Sequence, residues 1–243
     1  MINEIEKLRD IIQNSNNIVF FGGAGVSTES GIPDFRSADG LYSGNYEYPP
    51  EEILSYSFFM ENTEEFYRFY KEKMLYPEAK PNDAHKALAE LERQGKLKAV
   101  ITQNVDGLHT QAGSVNVIEL HGSALRNICM SCKEIYTIDI ILQSKGIPRC
   151  TCNGIIKPDV VLYEEGLDSA RINKATKAIY DADVLIVGGT SLNVYPAAGM
   201  VNYYNGNNLI LINKSETSFD KYADLIIRES IGKTLNEAVN NGN

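Results

Sequence analysis

Four groups of residues in this chain have types and spacings suited to chemistry. His121 follows Glu119-Leu120 and precedes Gly122, at the end of a short apolar run. An imidazole titrates near neutrality, which suits a general base, although a lone histidine is also commonly structural. The other two histidines serve as comparison: His109 reads as structural and His85 as a helix-surface residue. Gln103, Asn104 and Asp106 offer two amides and a carboxylate just after a second apolar run. Such groups are costly in a core and suit a ligand's hydroxyls and amide; the alternative is an Asx-type turn before Gly107. Gly22, Gly23 and Gly25 follow the apolar run Ile18–Phe21. A glycine turn after a strand lets a phosphate sit against bare peptide N–H groups. Thr28 stands where the usual third glycine would be, so a plain tight turn is an equal reading.

The fourth group is the cysteines. Cys129-x2-Cys132 and Cys150-x-Cys152 are the only cysteines in the chain. In a reducing compartment they point to one structural zinc held by four thiolates, with a labile site or a redox pair as alternatives. The second pair has one spacer residue, and this predicts that it cannot form the usual knuckle, in which backbone N–H groups turn toward sulfur.

The elements that must position these groups alternate in type. Residues 1–17 have the apolar spacing of an amphipathic helix (Ile5, Leu8, Ile11, Ile12). Strands are expected at Ile18–Phe21, Lys98–Thr102, Val117–Leu120, Val184–Val187, Leu209–Ile212 and Leu225–Ile227. Helices are expected near 63–75 and 83–95 and after the last strand, before a polar tail at Asn240–Asn243. This order implies an α/β, Rossmann-like, doubly wound parallel sheet, in which ligands bind at strand C-terminal ends. The glycine cradle is expected to lead into a helix N-terminus. Residues 39–81 carry many aromatics, read as the packing of a small helical insert. A second glycine turn, Gly188-Gly189-Thr190-Ser191, follows Val184–Val187.

Composition bounds the function. The chain has 243 residues, enough for one large domain with a smaller one, and a net charge of −9 that argues against nucleic-acid binding. No apolar stretch approaches a membrane span, and no secretory signal is visible. A cytoplasmic monomer with no membrane partner is the expectation.

Read together, GGAGVSTESGIPDFR (22–36), TQNVDGLHTQAG (102–113), ELHG (119–122) and GGTSLNVYPAA (188–198) resemble the sirtuins, NAD-dependent protein deacylases. The resemblance spans about residues 5–235, with the motifs in family order. It implies a discontinuous NAD-binding domain (1–38, 82–122 and 158–243), and a small domain made of a helical insert (39–81) and a zinc ribbon (123–157). It also implies that His121 and Asn104 are catalytic. Gly23, Ala24, Gly25, Thr28, Asp34, Phe35, Arg36, Gln103, Val105, Asp106, Gly189, Thr190, Ser191, Asn213 and Ile231 would bind NAD. Val160, Val161, Leu162 and Tyr163 would form one edge, and Leu192, Asn193 and Val194 the other, between which an acetyl-lysine peptide adds as a strand.

The implied reaction is attack of the acetyl oxygen on C1′ of the nicotinamide ribose as nicotinamide leaves. His121 then acts as base for the 2′-hydroxyl, and the acetyl group ends on ADP-ribose. NAD is thus a co-substrate. The alternatives are ADP-ribosyl transfer to protein and a non-catalytic NAD or acyl-lysine binding module. Family members that remove acidic acyl groups carry Tyr-x-x-Arg in the helical insert; here the matching pair is Tyr67 and Tyr70, which implies a preference for neutral acyl groups. Gly22, where many relatives have threonine, has no explanation from the sequence.

Overall fold

The computed structural model describes residues 3–37, 39–44 and 46–240. The tail beyond Asn240 and the first two residues of the expected N-terminal helix lie outside them. In chain order the elements are α1 (Glu4–Asn14), β1 (Ile18–Gly22), α2 (Pro50–Ile53), α3 (Tyr56–Glu61), α4 (Thr63–Lys73), α5 (Asp83–Arg93), β2 (Leu97–Thr102), α6 (Leu108–Gln111) and β3 (Val117–Glu119). They continue with β4 (Gly122–Cys129), β5 (Ile135–Thr137), α7 (Asp139–Gln143), β6 (Ile156–Val160), α8 (Ser169–Asp181), β7 (Val184–Gly188), β8 (Leu209–Ile212), β9 (Leu225–Ile227) and α9 (Ile231–Asn240). No helix among them is long and apolar enough to cross a membrane.

Six strands form a parallel sheet in the order β3-β2-β1-β7-β8-β9. Its central strands are apolar at every position because both faces are covered. Side chains alternate along β1, so Ile18 and Phe20 face one way and Val19 and Phe21 the other. The first pair packs with α1, α5 and α9 through Leu8, Leu88 and Leu235. The second packs with α8 and the turn at Ala198–Tyr203 through Ile179, Met200 and Val201. The order reverses beside β1, between β2 and β7, and there the strand ends open a crevice.

A second sheet, antiparallel, runs β5-β4-β6. With α2–α4 it forms a separate core in which Phe59, Phe66, Tyr67 and Tyr70 are fully or almost fully buried. The aromatic insert is therefore packing, as expected. Strand β4 was not anticipated. Its start at Gly122 leaves only Leu120 and His121 between it and β3, which belongs to the other sheet, so His121 sits where the chain passes from one sheet to the next.

Two expectations are corrected. The cradle leads not into an α-helix but into two 3₁₀ turns, Ala24–Val26 and Thr28–Ser30. His85 is not at a helix surface but fully buried. The cause is local: Asn82 caps α5, and the His85 Nδ1 accepts the Asn82 N–H at 3.2 Å, closing a capping box that turns the ring inward.

Candidate active site

The ends of β1 and β7 build the floor of the crevice. Gly22 and Gly188 are register partners, and the turns beyond them lock backbone to backbone, Gly25 N–H donating to the Gly189 carbonyl at 2.8 Å. Gly189 has φ +58°, and a Cβ there would lie 2.4 Å from Val26 N. A Cβ at Gly25 would lie 2.8 Å from the Gly189 Cα, so neither position admits a side chain without moving main chain. Gly22 also gains a reason: its Cβ would meet the Phe20 ring at 2.6 Å. Gly23 is buried and Ala24 half-buried, with Thr28 exposed at the mouth, where its hydroxyl donates to the Gly25 carbonyl at 3.0 Å. Thr190 ties this floor to β2, since its hydroxyl oxygen accepts from Gln103 Nε2 at 3.1 Å and from Leu192 N–H at 3.2 Å. Ser191 follows, half-buried.

Beside the floor runs a chain of polar groups. Asn104 Nδ2 donates to the Ser27 hydroxyl at 3.0 Å, and that hydroxyl donates to Asp106 Oδ2 at 2.6 Å. Asp106 Oδ1 accepts the Leu108 N–H at 2.9 Å, so the Asx turn weighed from the sequence is present and leaves the other oxygen in the network. Ser27, only 1% exposed, was missed in the sequence. The signal was its place directly behind the glycine turn. Val105 contributes its carbonyl to Ala124 N–H at 2.8 Å, linking this segment to β4.

His121 is half-buried, and its Nδ1 lies 3.0 Å from the Gln103 carbonyl. A carbonyl can only accept, so Nδ1 carries the hydrogen and Nε2 keeps a free lone pair. Burial pushes this imidazole below its ordinary pKa, with the Gln103 carbonyl opposing weakly. His121 is therefore a neutral base at pH 7. The other two histidines stack edge-to-face, ring centroids 4.7 Å apart. Burial holds His85 down to about 4 and His109 down to about 3. The His85 Nε2 and both His109 nitrogens are buried without a partner.

The loop after the 3₁₀ turns packs Phe35 and Tyr42 against the core of the small antiparallel sheet. Asp34 Oδ1 accepts the N–H groups of Arg36 and Ser37 at 2.9 and 2.7 Å, while Phe35 is half-buried and Arg36 exposed. On the far side, Asn213 ends β8, its N–H on the Ile227 carbonyl and its Nδ2 on the Ser215 carbonyl. Ile231 is buried in the core against Gly188. Of the two expected peptide edges, Val161 N–H donates to the His121 carbonyl at 3.0 Å, so that edge abuts the base. Val160 and Leu162 are buried, whereas Tyr163 is exposed. Leu192 is buried at φ +54°, Asn193 is exposed and Val194 half-buried.

Away from the crevice, the four cysteine Sγ atoms lie within 4.8 Å of one another, and none is in a disulfide. Cys132 N–H points at Cys129 Sγ, 3.5 Å away. At the second pair the Tyr136 hydroxyl donates to Cys150 Sγ at 3.0 Å, and this bond leads the causes that pull that thiol down to about 6. The one-residue spacer still places both sulfurs in the tetrad, on a turn closed by the Asn153 N–H (φ +67°) donating to the Cys150 carbonyl at 2.8 Å. A tetrad of thiols with donors aimed at sulfur fits one structural zinc, with no position left for catalysis.

Comparison with known proteins agrees with this geometry. The family model described as "Sir2 family" matches residues 23–196. The chain belongs to the Sir2 family. A Clostridium perfringens protein named NAD-dependent protein deacetylase is 62% identical, with 98% of this chain and all of the relative covered. A Sulfolobus acidocaldarius protein of the same name is 46% identical over 98% of this chain and 95% of its own. A Sir2 structure with p53 peptide and NAD+ superposes with TM-score 0.86 at 40% identity, covering 98% of each chain. Another, with deacetylated p53 peptide and 3′-O-acetyl-ADP-ribose, gives 0.89 at 38% identity and the same coverage. The Sir2 fold thus extends over both sheets of this chain.

Proposed function

We propose that this protein is an NAD-dependent protein lysine deacetylase that transfers the acetyl group of acetyl-lysine to ADP-ribose and releases nicotinamide. The observation that carries this reading is the neutral His121. Its Nε2 lone pair is free, its ring Nδ1 donates to the Gln103 carbonyl just past β2, and its own carbonyl accepts the Val161 N–H of the peptide-edge segment. NAD lies with its diphosphate on the paired glycine turns (Gly23, Ala24, Gly25, Thr28 and Gly189, Thr190, Ser191). Arg36 supplies positive charge, and Asn213 and Ile231 mark the adenosine end. Phe35 and Asp106 enclose nicotinamide, and Gln103 and Asn104 hold its ribose. Asp34 shapes the covering loop.

The acetyl oxygen forms a bond to C1′ as the glycosidic bond breaks and its electrons leave with nicotinamide. His121 Nε2 takes the 2′-hydroxyl proton, and that oxygen attacks the former acetyl carbon. The bond from that carbon to the lysine nitrogen then breaks as the amine leaves with a proton. Water adds to the same carbon, so that its link to the C1′ oxygen opens and the acetyl ester remains on the ribose. The division into a large NAD-binding unit (1–38, 82–122 and 158–243) and a small one (39–81 and 123–157) is supported by the separate cores of the two sheets. Zinc, held by the cysteine tetrad, supplies rigidity to the small unit. The absence of arginine at Tyr70 supports neutral acyl groups: the buried Tyr67 hydroxyl donates to the Ile156 carbonyl, the buried Tyr70 hydroxyl has no partner, and Arg68 is turned outward to Glu65. The net charge of −9 supports the absence of a nucleic-acid partner, and cysteines outside any disulfide support a reducing, cytoplasmic setting for what we take as a monomer.

Mass spectrometry of an acetyl-lysine peptide with NAD tests this reading. Loss of one acetyl per nicotinamide released, with acetyl-ADP-ribose formed, is the expected result. An ADP-ribosylated protein with the peptide untouched supports transfer to protein, and no NAD turnover leaves a binding module.

A further inference from the structure

The bridge Leu120-His121 leaves the parallel sheet and enters the antiparallel one. A cluster of four charged side chains surrounds this bridge, and the reaction assigned to His121 makes no use of it. Glu119, the last residue of β3, stands two positions before His121. Asp159, on β6, stands two positions before Val161, whose N–H donates to the His121 carbonyl at 3.0 Å. Arg126, on β4, joins the two carboxylates: its Nε donates to Asp159 Oδ2 at 2.8 Å and its Nη2 to Glu119 Oε2 at 3.0 Å. From α8, Arg171 Nη1 donates to the Glu119 carbonyl at 3.1 Å, and its Nη2 lies 3.7 Å from Asp159 Oδ2. Both sheets and α8 are thus tied together beside the base.

The packing there leaves little slack. Gly122 has φ +80°, and a Cβ on it would stand 1.9 Å from the Asp159 carbonyl oxygen. The main chain of Asp159 therefore lies directly against the residue that follows the base. The Glu119 and Asp159 side chains are only 19% and 26% exposed, so both carboxylates are largely sheltered from water and rely on the guanidinium. A guanidinium can serve both acceptors at once because its N–H groups form a rigid planar fork. A lone exposed ion pair contributes little, but charges linked in a network with this geometry can hold a main chain in place.

We propose that Arg126 is a positioning residue for the base. By tying Glu119 to Asp159 it fixes the chain entering His121 and the peptide-edge segment bonded to the His121 carbonyl, and so keeps Nε2 within reach of the ribose 2′-hydroxyl. Arg171 braces the same two residues from the large unit. The proposal rests on the assignment of His121 as base given above. Nicotinamide leaves before the base acts, so a loosened bridge slows acetyl transfer and spares nicotinamide departure. Misplacing a reacting group by about 1 Å costs on the order of 100-fold in rate, which sets the scale of the effect.

Two rates read the proposal: exchange of labelled nicotinamide into NAD in the presence of acetyl-lysine peptide, and deacetylation of that peptide. They are measured in the parent, R126M and R126K, with zinc content and a melting curve for each. Methionine keeps an unbranched stem and removes both donors, whereas lysine keeps the charge and replaces the fork with a single point. In R126M, kcat for deacetylation should fall about ten- to hundred-fold, while the peptide KM and the exchange rate stay within about three-fold of the parent. R126K should fall between the parent and R126M. Deacetylation by R126M within about three-fold of the parent, or equal loss of exchange and deacetylation, would overturn the proposal. Should R126M fail to fold, R126K carries the same comparison, and parental deacetylation or a parallel loss of both rates overturns it there. A parent that neither exchanges nor deacetylates sinks the assignment of His121, and the proposal with it.

Discussion

The glycine floor and the cysteine tetrad are both built on tight turns, yet they hold their shape by opposite means. At the floor, Gly25 and Gly189 touch main chain to main chain beneath a sheet that is buried on both faces. That geometry is set by packing before any ligand arrives. In the tetrad, four sulfurs stand within 4.8 Å, and as thiolates they repel one another unless a cation joins them. One site is preorganised by hydrocarbon; the other completes itself by coordination.

The largest effect expected from breaking this comparison is on the tetrad. Removing the metal with a strong chelator should unfold the small antiparallel sheet, since structural zinc supplies about 10–16 kcal/mol in zinc-finger peptides. The parallel sheet should persist, so circular dichroism should lose part of its signal while cooperative melting of the remainder survives. A single, unchanged transition would contradict the division. Next is the floor itself. Gly25→Ala drives a Cβ into the Gly189 backbone, and ADP-ribose affinity should fall at least ten-fold by calorimetry while zinc content stays the same.

Titration sharpens the contrast further. His85 and His109 lie buried and neutral under the floor, at about 4 and about 3 in the folded protein against an ordinary value near 6.5. Below pH 6.5 the unfolded chain binds protons that the folded chain refuses, so stability must fall as pH drops toward the folded values. From pH 6.5 to 5 the loss is roughly 2 kcal/mol per histidine, and a pH series of denaturation midpoints should show that slope. His85→Gln should flatten it by about half. The smallest effect concerns acyl choice: deacetylation should outpace desuccinylation on matched peptides, because Tyr70 stands where the acidic-acyl pattern has arginine and the neighbouring Arg68 is turned outward to Glu65.

How much was legible follows the same division. Ile18–Phe21, Leu209–Ile212 and Leu225–Ile227 announced the parallel sheet because both faces are apolar, and the ordered motifs fixed its crevice. What depended on the folded path of side chains and turns was not legible. His85 reads as a surface residue by helical spacing, and only the Asn82 cap turns it inward. Ser27 joins Asn104 to Asp106 across a gap of more than seventy positions, which no local pattern marks. Gly22 needed the position of the Phe20 ring, and Cys150-x-Cys152 needed the actual path of its turn.

The role of His121 is tested most directly by separating nicotinamide release from acetyl transfer in His121→Ala. In the proposed sequence the acetyl oxygen displaces nicotinamide before the base acts. The variant should therefore still exchange labelled nicotinamide into NAD in the presence of acetyl-lysine peptide. Its deacetylation rate should fall by about 10²–10⁴-fold, the usual contribution of a general base. Equal loss of both activities, or deacetylation within ten-fold of the parent, would contradict a base that works after nicotinamide leaves.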